Sequence, residues 1–407
     1  MARRAYVPRV PALLRSGAFT IREGEPTTSV ADHDAIKEKF PKLYGARAVS
    51  LEPAAGAPHG AKALKVGCVL SGGQAAGGHN CICGLWDYLE AHAPGSQLLG
   101  FVGGPKGVMV NEKRVLDAAT IDAFRNSGGF TMLASGRDKI ESAEQLAQAV
   151  ATARACELDG LIVIGGDDSN TNAAVLAEHF AGAGLKTRVV GLPKTIDGDL
   201  KNEHCEVSFG FDTAAKLYAE LVGNIMADCE SSRKYYHFIR LMGREASHLT
   251  LEVALQTRPT VCLIGEEVKA EKMSLAQITD QIADAVVARA AKGRNYGVVL
   301  IPEGLVDFIP EMGALIAEIN EVLARDGAAA DGGMASKLSK GSAALFEYLP
   351  AEIREQLMLE RDPHGNVQAR RRTPLTRPSP PPPPPAPSCR REIERDVTRC
   401  CLAGGED

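Results

Sequence analysis

The strongest constraint on the fold is an alternation. Short, β-branched runs at 65–70, 98–102, 160–165, 188–192, 236–241, 261–265 and 297–302 are separated by segments whose apolar residues recur at helical spacing. Ile82, Leu85, Trp86 and Leu89 stand at i, i+3, i+4 and i+7; Val175, Leu176, His179 and Phe180 mark a second such helix. Leu275, Ile278, Ile282 and Val286 mark a third, and Leu315, Ile316, Ile319 and Leu323 a fourth. Strands that are apolar throughout are buried on both faces. Alternated with helices, they build a parallel sheet covered on both sides. In such sheets ligands bind outside the carboxyl ends of the strands, so the residues that follow each strand are the ones to read for function.

At about 150 residues per domain, 407 residues make two or three domains. With 45% hydrophobic and 24% charged residues, the chain has enough apolar material for sizeable cores, which excludes disorder or a disulfide scaffold as a description of the whole. The net charge of −5 gives no basic surplus for nucleic acid or an anionic membrane. No apolar run reaches the roughly 18 residues of a transmembrane span. The ten cysteines are scattered, and Cys81 and Cys83 lack a second pair at zinc-site spacing. They are expected to be reduced, mostly buried residues of a cytoplasmic protein. Residues 1–22 carry five arginines and no acid, like a transit peptide. Pro8 and Pro11 interrupt an amphipathic helix there, so a cytoplasmic N-terminal extension is expected.

Three turns that follow expected strands are suited to phosphate. The first, Ser71-Gly72-Gly73-Gln74-Ala75-Ala76-Gly77-Gly78, lets main-chain N–H groups approach an anion ahead of a helix. Alone it is weak evidence, because purely structural glycine turns are as common. The second, Gly165-Gly166-Asp167-Asp168-Ser169-Asn170, places two carboxylates on such a turn. Mg²⁺ is typically held by one or two carboxylates together with substrate phosphates. The alternative is a helix N-cap by Asp or Ser. The third, Pro193-Lys194-Thr195-Ile196-Asp197-Gly198-Asp199, supplies a cation, a hydroxyl and two carboxylates. In extended chain Asp197 and Asp199 share one face, one able to act as a base and the other to orient a ligand.

Together with Met242-Gly243-Arg244 and Ile301-Pro302-Glu303, these segments resemble the phosphofructokinase family, in its pyrophosphate-dependent branch and most closely the beta-type catalytic subunits of plants and algae. The resemblance covers about residues 1–368. It implies two Rossmann-like α/β domains: an N-terminal extension at 1–61, a phosphate-donor domain at 62–208 and a sugar-phosphate domain at 209–368. It implies reversible, Mg²⁺-dependent transfer of a phosphoryl group from pyrophosphate to the 1-hydroxyl of fructose 6-phosphate. Gly72, Gly73, Arg137, Asp168 and Lys194 match the diphosphate site, and Asp167 the magnesium ligand. Asp197 matches the catalytic base. Thr195, Asp199, Met242, Gly243, Arg244 and Glu303 match the substrate site. ATP-using relatives carry glycine where Asp168 stands and commonly where Lys194 stands. A carboxylate at 168 fills the α-phosphate space and repels its charge, while Lys194 can meet a pyrophosphate oxygen. An oligomer is implied, homomeric or with a regulatory subunit, in which Arg233 and Lys234 are candidates to reach a neighbouring sugar site.

After Gln368 the resemblance ends in Arg370, Arg371, Arg372 and nine prolines between Pro374 and Pro387. A proline run is extended and cannot enter a core, so 369–407 is expected to be a disordered tail. Family members continue past this point, so the second domain is expected to be incomplete. A gene-model error is the expected cause, with a real shortened isoform as the alternative. The chain as written is accordingly expected to be poorly soluble or inactive. Two other readings of function stay open: a non-catalytic or regulatory subunit, and an ATP-dependent phosphofructokinase.

Overall fold

The computed structural model describes residues 5–29, 31–54, 62–198, 200, 205–244, 246–326 (only the main chain at 324–326) and 333–358. Asp199 and the 369–407 tail lie outside the described residues. The chain divides into two compact units: Met1–Ile196 with Leu200–Phe211, and Asp197–Asp199 with Asp212–Asp407.

The first unit opens with an antiparallel ribbon, β1 (Phe19–Pro26) and β2 (Arg47–Pro53), exposed along almost its whole length. Its main element is a five-stranded sheet. In chain order come β3 (Lys65–Leu70), helix α1 (Gly78–His92), β4 (Gln97–Phe101), β5 (Lys113–Leu116), α2 (Ala118–Phe124) and α3 (Ala143–Ala155). Then follow β6 (Gly160–Gly165), α4 (Asp167–Gly182) and β7 (Arg188–Pro193). The strand order is β5-β4-β3-β6-β7, parallel except for β5, which runs antiparallel at the edge. Five of the six residues of β3 are buried, as its unbroken apolar run requires. One core packs Phe101, Leu161, Leu176 and Phe180, and another packs Leu70, Ile82, Leu116 and Ile164.

The order places a reversal beside β3: the chain moves to β4 on one side and returns to β6 on the other. Such a switch point leaves a crevice at the carboxyl ends of the two strands. The glycine-rich turn at 71–78 leaves β3 there, and the turn at 165–170 leaves β6.

The second unit holds α5 (Phe211–Ser232), β8 (Tyr236–Leu241), α6 (His248–Thr257), β9 (Val261–Cys262), α7 (Leu275–Ala290) and β10 (Gly297–Pro302). Helices α8 (Pro310–Asp326), α9 (Lys340–Tyr348) and α10 (Ala351–Leu357) follow. The sheet order is β8-β10-β9, all parallel, and β10 is buried along its full length. Ile278, Ile282, Val299, Leu315 and Ile353 share its core.

Most of the expected strands are present, with differences that have local causes. The run at 98–102 is shifted to 97–101, and the one at 261–265 is cut to Val261–Cys262. Gly265 instead opens a short helix, where a side chain would strike the ring of Phe308 2.5 Å away. Strands β1, β2 and β5 add to the expected set, and each is too exposed to carry an apolar signature.

Candidate functional site

In the first unit, the three phosphate-type turns are tied to one another. Gly72 takes a φ of +83°, which a glycine accepts without strain, and its N–H donates to the carbonyl of Gly136 at 2.9 Å. Ser71 bridges the same residue. The buried hydroxyl of Ser169 donates to Ser71 Oγ at 2.8 Å, joining the 165–170 turn to the 71–78 turn. Lys194 N–H donates to the Gly165 carbonyl at 2.8 Å, and its ammonium donates to the Gly73 carbonyl at 2.9 Å. The third turn is thereby joined to the first two. The Arg137 loop arrives through Gly136, and Arg137 is exposed. Gly72, Gly73, Arg137, Asp167, Asp168 and Lys194 thus lie on one connected set of loops at the switch point.

The start of α4 bears on the metal question. Its N-cap is Gly166, with no side-chain cap; Asp167 and Asp168 sit exposed in the first turn. Asn170 instead donates from its side chain to the carbonyls of Gly165 and Gly166, both at 2.8 Å. Neither aspartate serves the capping role that the sequence left open, and both are favoured where they stand by the positive end of the helix. Asp168 accepts from Lys139 at 3.2 Å. Among the described residues no group of three or more His, Cys, Asp or Glu is arranged to hold a metal ion. Mg²⁺ needs no such group, because phosphate oxygens and water complete its shell. Asp167, with Asp168 beside it, therefore fits the ion as a donor-dependent site. The N-terminus of α1 also has a glycine N-cap, Gly77, without a side-chain cap, but the His79 N–H in its first turn is taken by the Gly129 carbonyl.

The third turn divides between the units. Thr195 is buried in the first, where its N–H donates to Ser208 Oγ at 2.8 Å and its main chain bridges Gly210. Asp197 belongs to the second unit.

There, parallel pairing sets Pro302 of β10 beside Leu241 of β8, so the residues after each strand emerge side by side. Glu303 N–H donates to the Leu241 carbonyl at 2.8 Å, and Gly304 N–H to the Gly243 carbonyl at 3.0 Å. The Gly243 N–H donates to Glu303 Oε2 at 3.3 Å. The approach is so close that a Cβ on Gly304 would stand 1.7 Å from the Arg244 carbonyl oxygen. Met242 and Arg244 are left exposed. The phenol of Tyr218 on α5 is pushed up by burial and by the carboxylates of Asp197 and Glu303, which marks these three as neighbours. Met242, Gly243, Arg244 and Glu303 are thus brought together, with Asp197 close to Tyr218.

Several residues of these loops escaped the sequence reading. Lys139, which pairs with Asp168, and Tyr218, beside Asp197 and Glu303, are not singled out by any motif or periodicity above. Gly104 gave no signal, yet a Cβ there would stand 2.2 Å from Gly136 N.

A doubly wound α/β unit with joined glycine turns and adjacent carboxylates at an uncapped helix start is an arrangement suited to phosphate. The phosphofructokinase family matches residues 65–340, and the chain belongs to it. It is 56% identical over 359 residues to the pyrophosphate–fructose 6-phosphate 1-phosphotransferase subunit beta 1 of Arabidopsis thaliana, covering 88% of this chain and 63% of that protein. Against the enzyme of that name from Treponema pallidum it is 51% identical over 389 residues, covering 91% and 68%. Against the subunit alpha of Solanum tuberosum it is 43% identical over 371 residues, covering 89% and 60%. The chain therefore spans about 63% of the length of the plant beta subunits it matches. The crystal structure of a pyrophosphate-dependent phosphofructokinase from Marinobacter aquaeolei superposes with a TM-score of 0.50 at 20% identity, covering 59% of this chain and 60% of that one. That likeness shows the phosphofructokinase fold. No helix among the described residues is long and apolar enough to cross a membrane.

Proposed function

We propose that this chain transfers a phosphoryl group reversibly from pyrophosphate to the 1-hydroxyl of fructose 6-phosphate. The observation that carries the reading is the start of α4. Asp168, pinned by Lys139, stands where an ATP-binding site needs room and neutrality, and Lys194 is joined to the same loops. Subunits with 56% and 57% identity bear this activity in their names.

In this reading the glycine-rich turn at 71–78 and the uncapped start of α4 bind diphosphate oxygens, and Arg137 and Lys194 balance the diphosphate charge. Asp167, with Asp168 beside it, holds Mg²⁺, which supplies charge neutralisation at the transferring phosphoryl group when bound. Arg244 and Glu303 bind and orient the sugar phosphate, with Met242 and Gly243 shaping the turn; Thr195 and Asp199 serve the same substrate side. Asp197 takes the proton of the 1-hydroxyl. Little else is asked of the protein, because phosphoryl transfer is accelerated chiefly by positioning and electrostatics. The names of the alpha and beta subunits support assembly with a second type of subunit, and the negative net charge disfavours non-specific binding to nucleic acid or an anionic membrane.

The test is a coupled assay on fructose 6-phosphate with pyrophosphate or ATP as donor. Pyrophosphate turnover overturns the expectation that the chain is inactive as written, and Asp197→Ala should lower that turnover by about 10²–10⁴-fold, the range for loss of a general base. Turnover with ATP alone overturns the donor assignment. No turnover unless a full-length relative is added supports the regulatory alternative.

A further inference from the structure

We propose that His79 is a positioning residue: a neutral imidazole protonated on Nδ1 that fixes residues 127–137, and with them Arg137, against the glycine-rich turn. His79 lies in the first turn of α1, at the end of the first phosphate-type segment, and is 2% exposed. A residue so buried beside a phosphate turn could be mere filling. Its hydrogen bonds argue otherwise.

Nε2 accepts the main-chain N–H of Met132 at 2.9 Å, and Nδ1 lies 2.7 Å from Ser127 Oγ. A main-chain N–H can only donate, so Nε2 must carry the lone pair and Nδ1 the proton. Nδ1–H then donates to Ser127 Oγ, and Ser127 O–H donates onward to the Phe124 carbonyl at 2.5 Å. The Phe124 carbonyl also accepts the Ser127 N–H at 3.0 Å, and the Gly128 carbonyl lies 3.5 Å from Ser127 Oγ, so the hydroxyl proton has acceptors other than the imidazole. Only one tautomer and one charge state satisfy these bonds, because an imidazolium would set a second N–H against that of Met132.

The backbone supplies the rest of the clamp. His79 N–H donates to the Gly129 carbonyl at 3.1 Å, and Gly78 is packed so closely that a Cβ would stand 2.2 Å from the Phe130 ring. The Phe124 ring and the imidazole meet in an edge arrangement, with centroids 5.0 Å apart and planes inclined at 61°. At its far end the segment is tied by Gly103 N–H to the Leu133 carbonyl and by Gly72 N–H to the Gly136 carbonyl. Arg137 is the next residue. Segment 127–136 is thus held to α1 at its start by His79 and to the phosphate turn at its end by Gly72.

The surroundings keep the ring neutral. Asp87 of α1 and Asp122 of α2 both pair with Arg125, which follows α2, at 2.8 and 3.1 Å. Burial alone acts on the imidazole, and pushes its pKa below the ordinary value of 6.5.

The inference rests on the function proposed above for the role of Arg137, whereas the state of the ring does not depend on it. Two measurements on the full chain keep them apart. In ¹⁵N-histidine NMR, assigned by loss of the signal in His79→Gln, one ring should show the neutral Nδ1–H pattern and stay neutral as pH falls through about 6.5. An Nε2–H pattern, or titration at the ordinary pH, overturns the proposal. Calorimetry with pyrophosphate should show roughly tenfold to hundredfold weaker binding for His79→Ala, the scale of a displaced binding group. Fructose 6-phosphate binding should be unchanged. His79→Gln, whose amide oxygen can still accept from Met132, should recover most of the loss, and in an Arg137→Ala background the His79 effect should disappear. Unchanged pyrophosphate affinity, or an undiminished effect without Arg137, overturns the positioning role. If the wild-type chain binds no pyrophosphate, the donor reading falls, and the NMR result alone decides the clamp. Should His79→Ala fail to fold, Ser127→Ala gives the same readouts by removing the hydroxyl that takes the Nδ1 proton.

Discussion

Helices α3 and α4 follow one another in the same unit and begin in opposite ways. At the start of α3, Ser142 Oγ accepts the N–H of Gln145, and the Gln145 side chain returns to the N–H of Ser142 at 2.9 Å. At the start of α4, Gly166 offers no side chain at all, and two exposed aspartates follow it. Every helix starts with N–H groups that lack partners within the helix. In α3 two side chains, those of Ser142 and Gln145, each satisfy one N–H at the helix start. In α4 the N–H groups stay available, at the carboxyl end of a strand beside the switch point. The comparison teaches how to tell a structural helix start from a ligand-binding one: by whether the protein has supplied its own acceptor.

Changes at the two starts test this, beginning with the largest effect. Asp167→Ala should lower kcat about a hundredfold to a thousandfold in steady-state assays, as for loss of a group that stabilises transition-state charge. Its melting temperature should hardly move. Gly166→Ser should raise KM for pyrophosphate roughly tenfold, because the new hydroxyl competes for the N–H groups an anion would use. The site has room, with the nearest atom to an added Cβ, the Lys194 carbonyl oxygen, at 3.4 Å. The same variant should be more stable by a few tenths of a kcal/mol in denaturant titrations, so a variant that gains stability without losing affinity breaks the comparison. Ser142→Ala should do the reverse, losing about 1 kcal/mol of stability with both kinetic constants unchanged. Least of all, Arg22→Ala should cost well under about 1 kcal/mol, since its 2.9 Å pair with Glu52 on the β1–β2 ribbon is exposed to solvent.

How much of this was legible in the sequence depends on burial. The strands at 65–70, 160–165 and 297–302 could be read because apolar residues on both faces leave no other role for such runs. Strand β5 could not, because only Leu116 of its four residues is buried, and the ribbon could not, because solvent reaches nearly all of it. Strand order was not legible at all. It depends on which edges meet, and it is what sets the turns at 71–78 and 165–170 side by side. The motif side chains Asp167, Asp168, Lys194 and Arg244 stood out because their chemistry is unusual directly after a strand. What holds them did not. The pairing of Lys139 with Asp168, the close passage of Gly304 by Arg244 and the ring of His79 are contacts between distant segments. No local pattern encodes them.

The glycine-rich turn at 71–78 and the uncapped start of α4 also bear on how such a protein can change. Mutation rewrites side chains; it reaches the main chain only indirectly, through residues such as glycine and proline that alter its path. A phosphate floor made of peptide N–H groups is therefore almost invisible to point substitution. On the function proposed above, the groups that would select a donor, Asp168 and Lys194, are ordinary side chains standing on that floor. The fold thus separates what must persist from what is free to vary, and a lineage can exchange one phosphoryl donor for another without rebuilding the surface on which both would rest.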